Sequence, residues 1–354
     1  MLPFGRKSKP VIGLDISSSA VKLVELEKHG NGFGLVCYAA EAMPVGAINE
    51  KTVVDIDAAG DAVRKAVKRS GSSVKHAAVA IGGASVITKV IPMPGNLGDS
   101  ELGEQIELQA DQYIPFPLEE VSYDYEVVGP SRNDPDMVDV LLAATRSENV
   151  EQRQAVLDAA GITARVVDIE AYALENACRL LTYQMPDLGV ERTIALIDIG
   201  ATTTTLSVLN DLKIIYTRDQ AFGGKQLTEE IMRQYGLSFE EAGKAKKDGG
   251  LPDNYRDEVL VPFMDDIAQQ VNRSLQFFLS SNSEYETLDQ LIICGGCAGI
   301  KGVDAHIAER VGIPTVIGNP FGEVKISSKA KAQLAESDAS ALMIACGLAL
   351  RSFD

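Results

Sequence analysis

One pattern restricts this chain more than any other: the same strand–turn–strand element is written twice, 183 residues apart. The first copy passes from apolar Val11–Leu14 through Asp15-Ile16-Ser17-Ser18-Ser19 into Val21–Leu26. The second passes from Thr193–Ile199 through Asp198-Ile199-Gly200-Ala201-Thr202 into Thr203–Leu209. An apolar run, a small polar turn and a second apolar run is the pattern of a β-hairpin. Two halves that open alike predict a duplicated, two-lobed α/β protein. The length of 354 residues agrees, because single cores stop growing below that size.

Between the hairpins the periodicity alternates between strand and helix. A helix is predicted over 53–70, with Val54, Ile56, Ala59, Val63 and Val67 on one face and Gly71 as its stop. Strands follow at 77–81 and 86–91 around Gly82-Gly83. A helix over 100–113 is stopped by Pro115 and Pro117. Strands at 121–128 and 138–145, a helix at 147–160, a strand at 166–169 and a helix at 170–182 complete the first half. The second half continues with a strand at 212–218, helices at 226–235 and 240–247, and a long helix at 257–280. A strand at 288–294 and a last helix at 338–350 close the chain.

Composition excludes several classes of function. The formal net charge of −17 argues against nucleic acid or an anionic bilayer as a partner. It leaves ATP open, because phosphates can be held locally by backbone N–H groups and a cation. No apolar run approaches the roughly 20 residues of a membrane helix. The basic stretch Met1–Pro10 has no apolar segment behind it of the kind a signal peptide carries. Five cysteines at irregular spacing suit a reducing compartment, so a cytoplasmic location is expected.

The hairpin turns suit a nucleotide. A turn of Gly, Ser and Thr offers N–H groups and hydroxyls to phosphate oxygens with little bulk in the way. Asp15 and Asp198, at the strand ends, could hold Mg²⁺ through its waters. A third element, Ile293-Cys294-Gly295-Gly296-Cys297-Ala298, ends a strand in a glycine turn that a base or ribose could approach closely. Cys294 and Cys297 could also be a redox or zinc pair, but zinc needs two more ligands and only His306 is near in sequence. The glycine turn with incidental thiols is the better reading. His29, His76 and His306 are isolated and read as surface or packing residues.

The order of these pieces resembles that of the actin-like ATPases. The resemblance implies a first phosphate motif at Asp15, Ser17, Ser18 and Ser19, with Lys22 as a phosphate contact. It implies a second phosphate motif at Asp198, Gly200, Thr202 and Thr203, and an adenosine motif at Gly295, Gly296 and Ala298. Glu170, in Ile169-Glu170-Ala171-Tyr172-Ala173, falls where relatives place a catalytic or water-orienting residue, and Asp198 is the other catalytic candidate. Glu241 and Lys244 match the helix pair that flanks adenosine. Ala341, Ala345 and Gly347 match a connecting helix that crosses its partner closely.

Within that class, two further runs make the chain similar to the PilM family of type IV pilus assembly, itself related to FtsA. One is Gly13-Leu14-Asp15-Ile16 with Val21-Lys22-Leu23-Val24-Glu25-Leu26. The other extends from Gln105 through Ala110-Asp111-Gln112-Tyr113-Ile114-Pro115-Phe116-Pro117 to Val121, and Phe222-Gly223-Gly224 also agrees. The resemblance implies ATP and Mg²⁺ as ligands and the cytoplasmic tail of PilN as partner, beside other pilus assembly proteins. Membrane association would come through those partners, and self-association and turnover stay open. It implies a first lobe over 1–190 with a small FtsA-type subdomain inserted at about 73–161. A second lobe over 191–337 and a returning helix over 338–354 complete it. A small-molecule kinase and an FtsA-like filament are the alternatives. FtsA attaches through a basic C-terminal helix, whereas this sequence ends at Arg351-Ser352-Phe353-Asp354. Ser17 stands where many relatives carry glycine, and a positive φ there would cost about 1 kcal/mol.

Overall fold

The computed structural model describes residues 10–49, 51–131, 134–331 and 336–354, so the basic stretch before Pro10 lies outside the described residues. Strand Ile12–Ile16 pairs antiparallel with Ala20–His29, which pairs antiparallel with Gly32–Ala42. On its other side, Ile12–Ile16 runs parallel to His76–Ile81, and that strand parallel to Thr163–Ile169. Lys325–Ile326 adds a sixth strand beside Gly32–Ala42.

The second sheet repeats this plan. Thr193–Ile199 pairs antiparallel with Thr204–Asn210, and that strand antiparallel with Lys213–Gln220. On the other side lie Gln290–Cys294 and Thr315–Ile317, both parallel. Two sheets with the same order and polarity of five strands are what the twice-written hairpin predicts. Strands Gly32–Ala42 and Thr315–Ile317 and helix Val303–Val311 complete the duplication, and sequence periodicity had not marked them.

The first helix corrects its expected start. It spans Ile56–Ser70, because the side chain of Asp55 accepts from Ala58 N at 2.9 Å and caps it. Val54 therefore falls outside the helix and is 65% exposed, and the buried face is Ala59, Ala62, Val63 and Ala66. Helix Asp99–Gln109 likewise ends earlier than expected, in a tighter turn over Ala110–Gln112 before the prolines. The long helix of the second lobe starts at Val261 and runs to Ser281, after a wider turn over Arg256–Leu260.

Part of the 73–161 stretch belongs to the large sheet and its covering layer. His76–Ile81 is a central strand, and helix Ser147–Ala159 packs Val156 and Leu157 among Val63, Ala66 and Val79. The separate unit is an antiparallel sheet of Val86–Pro94, Met137–Arg146 and Val121–Pro130. It packs Ile91, Val140 and Leu142 against Leu102 and Ile106 of helix Asp99–Gln109, forming its own small core.

The two large sheets share a core. Val24, Leu26 and Leu35 of the first meet Ile194, Leu196 and Ile292 of the second, through Met343, Cys346 and Leu350 of the closing helix Met343–Leu350. That helix crosses helix Glu170–Ala177 so closely that a Cβ on Gly347 would overlap the carbonyl oxygen of Ala173. Asn176 seals the crossing by donating to Gly347 O at 3.0 Å. The small residues expected of a connecting helix are there for this approach.

Candidate functional site

Both hairpin turns close in the same way. Ser17 N donates to Ala20 O at 3.0 Å, and Gly200 N donates to Thr203 O at 2.9 Å. Ser17 is not among the residues with positive φ, and its hydroxyl adds a second bond to Ala20 O at 2.9 Å. The strain expected at Ser17 is therefore absent, because the turn keeps ordinary backbone angles at that position. Ser18, Thr202 and Thr203 are half-buried in the two turns and Ser19 is exposed.

The registers place Asp15 opposite Lys22 and Asp198 opposite Thr205. Lys22 Nζ lies 2.9 Å from Asp15 Oδ2. Burial alone would lower the Lys22 pKa, but the carboxylates of Asp15, Asp198 and Glu170 overcome it and raise it. One ammonium thus senses three carboxylates contributed by separated parts of the chain. The Asp198 carboxylate accepts no hydrogen bond from the described residues. Burial pushes its pKa up to about 6; Lys22 pulls it down, and Asp15 and Glu170 push it further up. The charges of the two hairpin aspartates and Glu170 are thus all felt at the Lys22 ammonium.

Glu170 opens helix Glu170–Ala177, and Gly82 makes room for it, since a Cβ there would overlap the carboxylate. On the other side, Gly295 has φ 87° and a Cβ on it would overlap Asp198 and the backbone of Ile199. Ala298 N closes that turn onto Gly295 O at 3.2 Å, and Gly296 is exposed. The Gly223-Gly224 turn packs on the second hairpin: Gly224 N donates to Gly200 O at 2.9 Å and Lys225 N to Ala201 O at 2.8 Å. The flanking thiols are both buried; burial raises the pKa of Cys294 well above its usual range and that of Cys297 to about 11.

The helix Phe239–Asp248 carries Glu241 and Lys244. Glu241 is engaged in the helix cap, accepting from Ser238 N at 2.8 Å and Ser238 Oγ at 2.6 Å. Lys244 is exposed, and no hydrogen bond or ion pair ties it to the cluster among the described residues. Lys246 reaches inward instead, donating to Gly224 O at 2.8 Å and Thr228 Oγ1 at 3.0 Å. Two residues apart on a helix is about 200° of rotation, so the two lysines face opposite ways.

Three more residues were not marked by any motif. Lys51 Nζ lies 2.8 Å from Glu170 Oε2 and 3.3 Å from Asp219 Oδ2. Asp219 also accepts from Thr205 Oγ1 at 2.6 Å. Arg153, only 3% exposed, donates to Ile16 O at 3.2 Å and Lys51 O at 3.0 Å, tying the first hairpin to the Lys51 loop. Beside Glu170 a cavity of about 520 Å³ opens, running between Val90 of the small sheet and Ile215 of the second lobe, with Tyr172 and Leu141 in its wall.

The family model described as Type IV pilus assembly protein PilM matches residues 13–353. The chain belongs to the PilM family. A solved structure titled PilM-PilN type IV pilus biogenesis complex is 25% identical with a TM-score of 0.80, covering 99% of this PilM-family chain and 100% of that one. Cell division protein FtsA of Bacillus subtilis (strain 168) is 24% identical over 267 residues, 68% of this chain and 58% of FtsA. The match thus spans less than two thirds of FtsA. The ethanolamine utilization protein EutJ from Carboxydothermus hydrogenoformans has a TM-score of 0.57 at 20% identity, covering 96% of this chain and 89% of that one. The fold is the two-lobed α/β fold of the actin-like ATPases. No described helix is long and apolar enough to cross a membrane.

Proposed function

We propose that this PilM-family chain is an ATP-binding scaffold of the type IV pilus inner-membrane assembly, gripping the N-terminal tail of PilN. The observation that carries the nucleotide half is the convergence of Asp15, Lys22, Glu170 and Asp198 between two hairpins closed alike. The turns 17–19 and 200–203 would take the phosphates, and the Gly295–Ala298 turn the adenosine. Glu241 in its cap and exposed Lys244 keep at most an outer place there, and Lys246 is the better-placed lysine.

Mg²⁺ fits the acids present. The Asp198 carboxylate lacks a hydrogen-bond donor among the described residues and is pushed toward its neutral form, so a hydrated cation would stabilise its charge. Mg²⁺ keeps several of its waters and would bind phosphate oxygens as well, so it needs only one or two carboxylates from the protein. Asp15, already paired with Lys22, would act alongside Asp198. Glu170 and Asp198 remain the residues through which any hydrolysis would run.

The cavity beside Glu170 suits an extended peptide. Val86–Pro94 and Lys213–Gln220 are both edge strands, so each offers unpaired backbone groups. Val90 is 59% exposed and Ile215 37%, giving the groove apolar walls. Membrane attachment would then come from the partner that owns the tail. The solved PilM–PilN complex favours this reading over a small-molecule kinase or an FtsA-like filament.

The test is titration with the synthetic N-terminal peptide of PilN, using the wild type and Val90→Asp. A charge placed in the apolar groove is expected to weaken peptide binding by at least about tenfold with Mg-ATP affinity unchanged. No peptide binding to the wild type at high micromolar concentration would remove the scaffold reading. Equal affinity for the variant would move the tail out of this groove.

A further inference from the structure

Lys51 belongs to none of the nucleotide motifs, yet its side chain joins the two lobes. It sits at the tip of a short hairpin, Ile48–Asn49 with Thr52–Val53, at φ 72°. That left-handed angle costs a residue with a Cβ roughly 1 kcal/mol, so the surroundings must hold it there. The buried guanidinium of Arg153 does so, bonding Lys51 O and Ile16 O together. The lysine stem then passes over the Gly82-Gly83 turn, where a Cβ on Gly83 would lie 3.2 Å from Lys51 Cδ.

The ammonium ends between Glu170 of the first lobe and Asp219 of the second. Burial disfavours its charge, but the two carboxylates more than offset this and raise its pKa. Asp219 is anchored through Thr205, the cross-strand partner of Asp198. Lys51, Glu170 and Asp219 also line the same cavity as Val90 and Ile215, the walls of the proposed tail groove. A single cation therefore touches the acid cluster of one site and closes the end of the other.

From this geometry we infer that Lys51 is a strap between the lobes, setting both how readily the cleft opens and how the groove edge 213–220 is held. The inference rests on the nucleotide reading above and adds its coupling to the groove. A terminal phosphate arriving beside Glu170 and Asp198 competes with Asp219 for the ammonium. Asp219 and its strand are then released from the first lobe. The strap acts through other residues, so Lys51 is a positioning residue.

The experiment compares the wild type with Lys51→Met, Lys51→Arg and Asp219→Asn. Hydrogen–deuterium exchange is measured without nucleotide, and release of a fluorescent ADP is measured by stopped flow. Lys51→Met preserves side-chain length and is expected to fold. It should speed exchange across 48–53 and 213–220 together and speed ADP release about two- to fivefold, the worth of a half-buried ion pair. Asp219→Asn should reproduce both effects, the double variant should add nothing further, and Lys51→Arg should restore wild-type behaviour. Wild-type exchange at 213–220 in Lys51→Met, or full additivity with Asp219→Asn, would overturn the strap. If the wild type binds no nucleotide, the nucleotide reading falls, while exchange in the nucleotide-free protein still decides the strap.

Discussion

Asp198→Asn is expected to abolish Mg-ATP binding while raising the melting temperature of the nucleotide-free protein. The two effects have one cause. In the fold, burial and the neighbouring carboxylates hold the Asp198 pKa at about 6, against 3.8 for a free side chain. An acid whose pKa is raised on folding carries no penalty below its unfolded value; the penalty grows between the unfolded and folded values and is complete above the folded one. Between about pH 4 and pH 6 the nucleotide-free protein therefore loses stability, because the unfolded chain has released the Asp198 proton while the fold still holds it, and the full cost is present at pH 7. That shift, already net of the attraction of Lys22 and Lys51, corresponds to a cost on the order of 3 kcal/mol. Asparagine removes it, so the melting temperature should rise by a few degrees. Mg-ATP affinity should fall beyond detection, because an amide cannot hold a hydrated Mg²⁺ as a carboxylate does. Asp15→Asn should also weaken binding, but it strands the Lys22 ammonium without its 2.9 Å partner and should lower stability. Calorimetry and thermal melts on the two variants check the opposite signs.

Gly347→Ala should be among the most destabilising single substitutions in the chain. Its new methyl would overlap the carbonyl of Ala173, which is backbone and cannot rotate away. The other side is equally closed, since a Cβ on Gly13 would overlap Ala345 O of the same helix. Strand Ile12–Ile16, the closing helix and helix Glu170–Ala177 thus form a stack with no slack. Forcing them apart should cost about 3 kcal/mol and lower the melting temperature by roughly 6 to 10 °C. The same shift would displace Glu170 and Asp15, so residual nucleotide binding should fall with it. A melting temperature within 2 °C of the wild type, about the effect of 1 kcal/mol, would show that the helices can separate freely.

The duplicated hairpins were legible because their signal is local: apolar alternation, an aspartate at the strand end and a small polar turn. The small-residue crossing at Gly347 was legible for the same reason, whereas the helix expected to reach Tyr113 ends at Gln109, in a tighter turn before the prolines. The strand Gly32–Ala42 was not, because glycines at 32 and 34 mask its alternation. The start of the first helix turned on Asp55, whose capping role depends on its backbone angles rather than on apolar spacing. At the site, the choice between Lys244 and Lys246 needs the packed face of their helix, which a short charged segment does not reveal. Lys51 meets Glu170 across 119 residues and Asp219 across 168. Arg153 reaches Ile16 across 137. Such contacts are made by the tertiary fold alone, and no spacing rule anticipates them.

Mn²⁺ in place of Mg²⁺ gives the most direct test of the convergence of Asp15 and Asp198. Electron paramagnetic resonance of Mn²⁺ titrated with ATP should show one ion bound per wild-type chain only when nucleotide is present. That signal should be lost in Asp198→Asn and strongly weakened in Asp15→Asn, in both cases with the fold retained by circular dichroism. Full Mn²⁺–ATP binding in both variants would contradict the account, because the two hairpins would then not share an ion and its triphosphate.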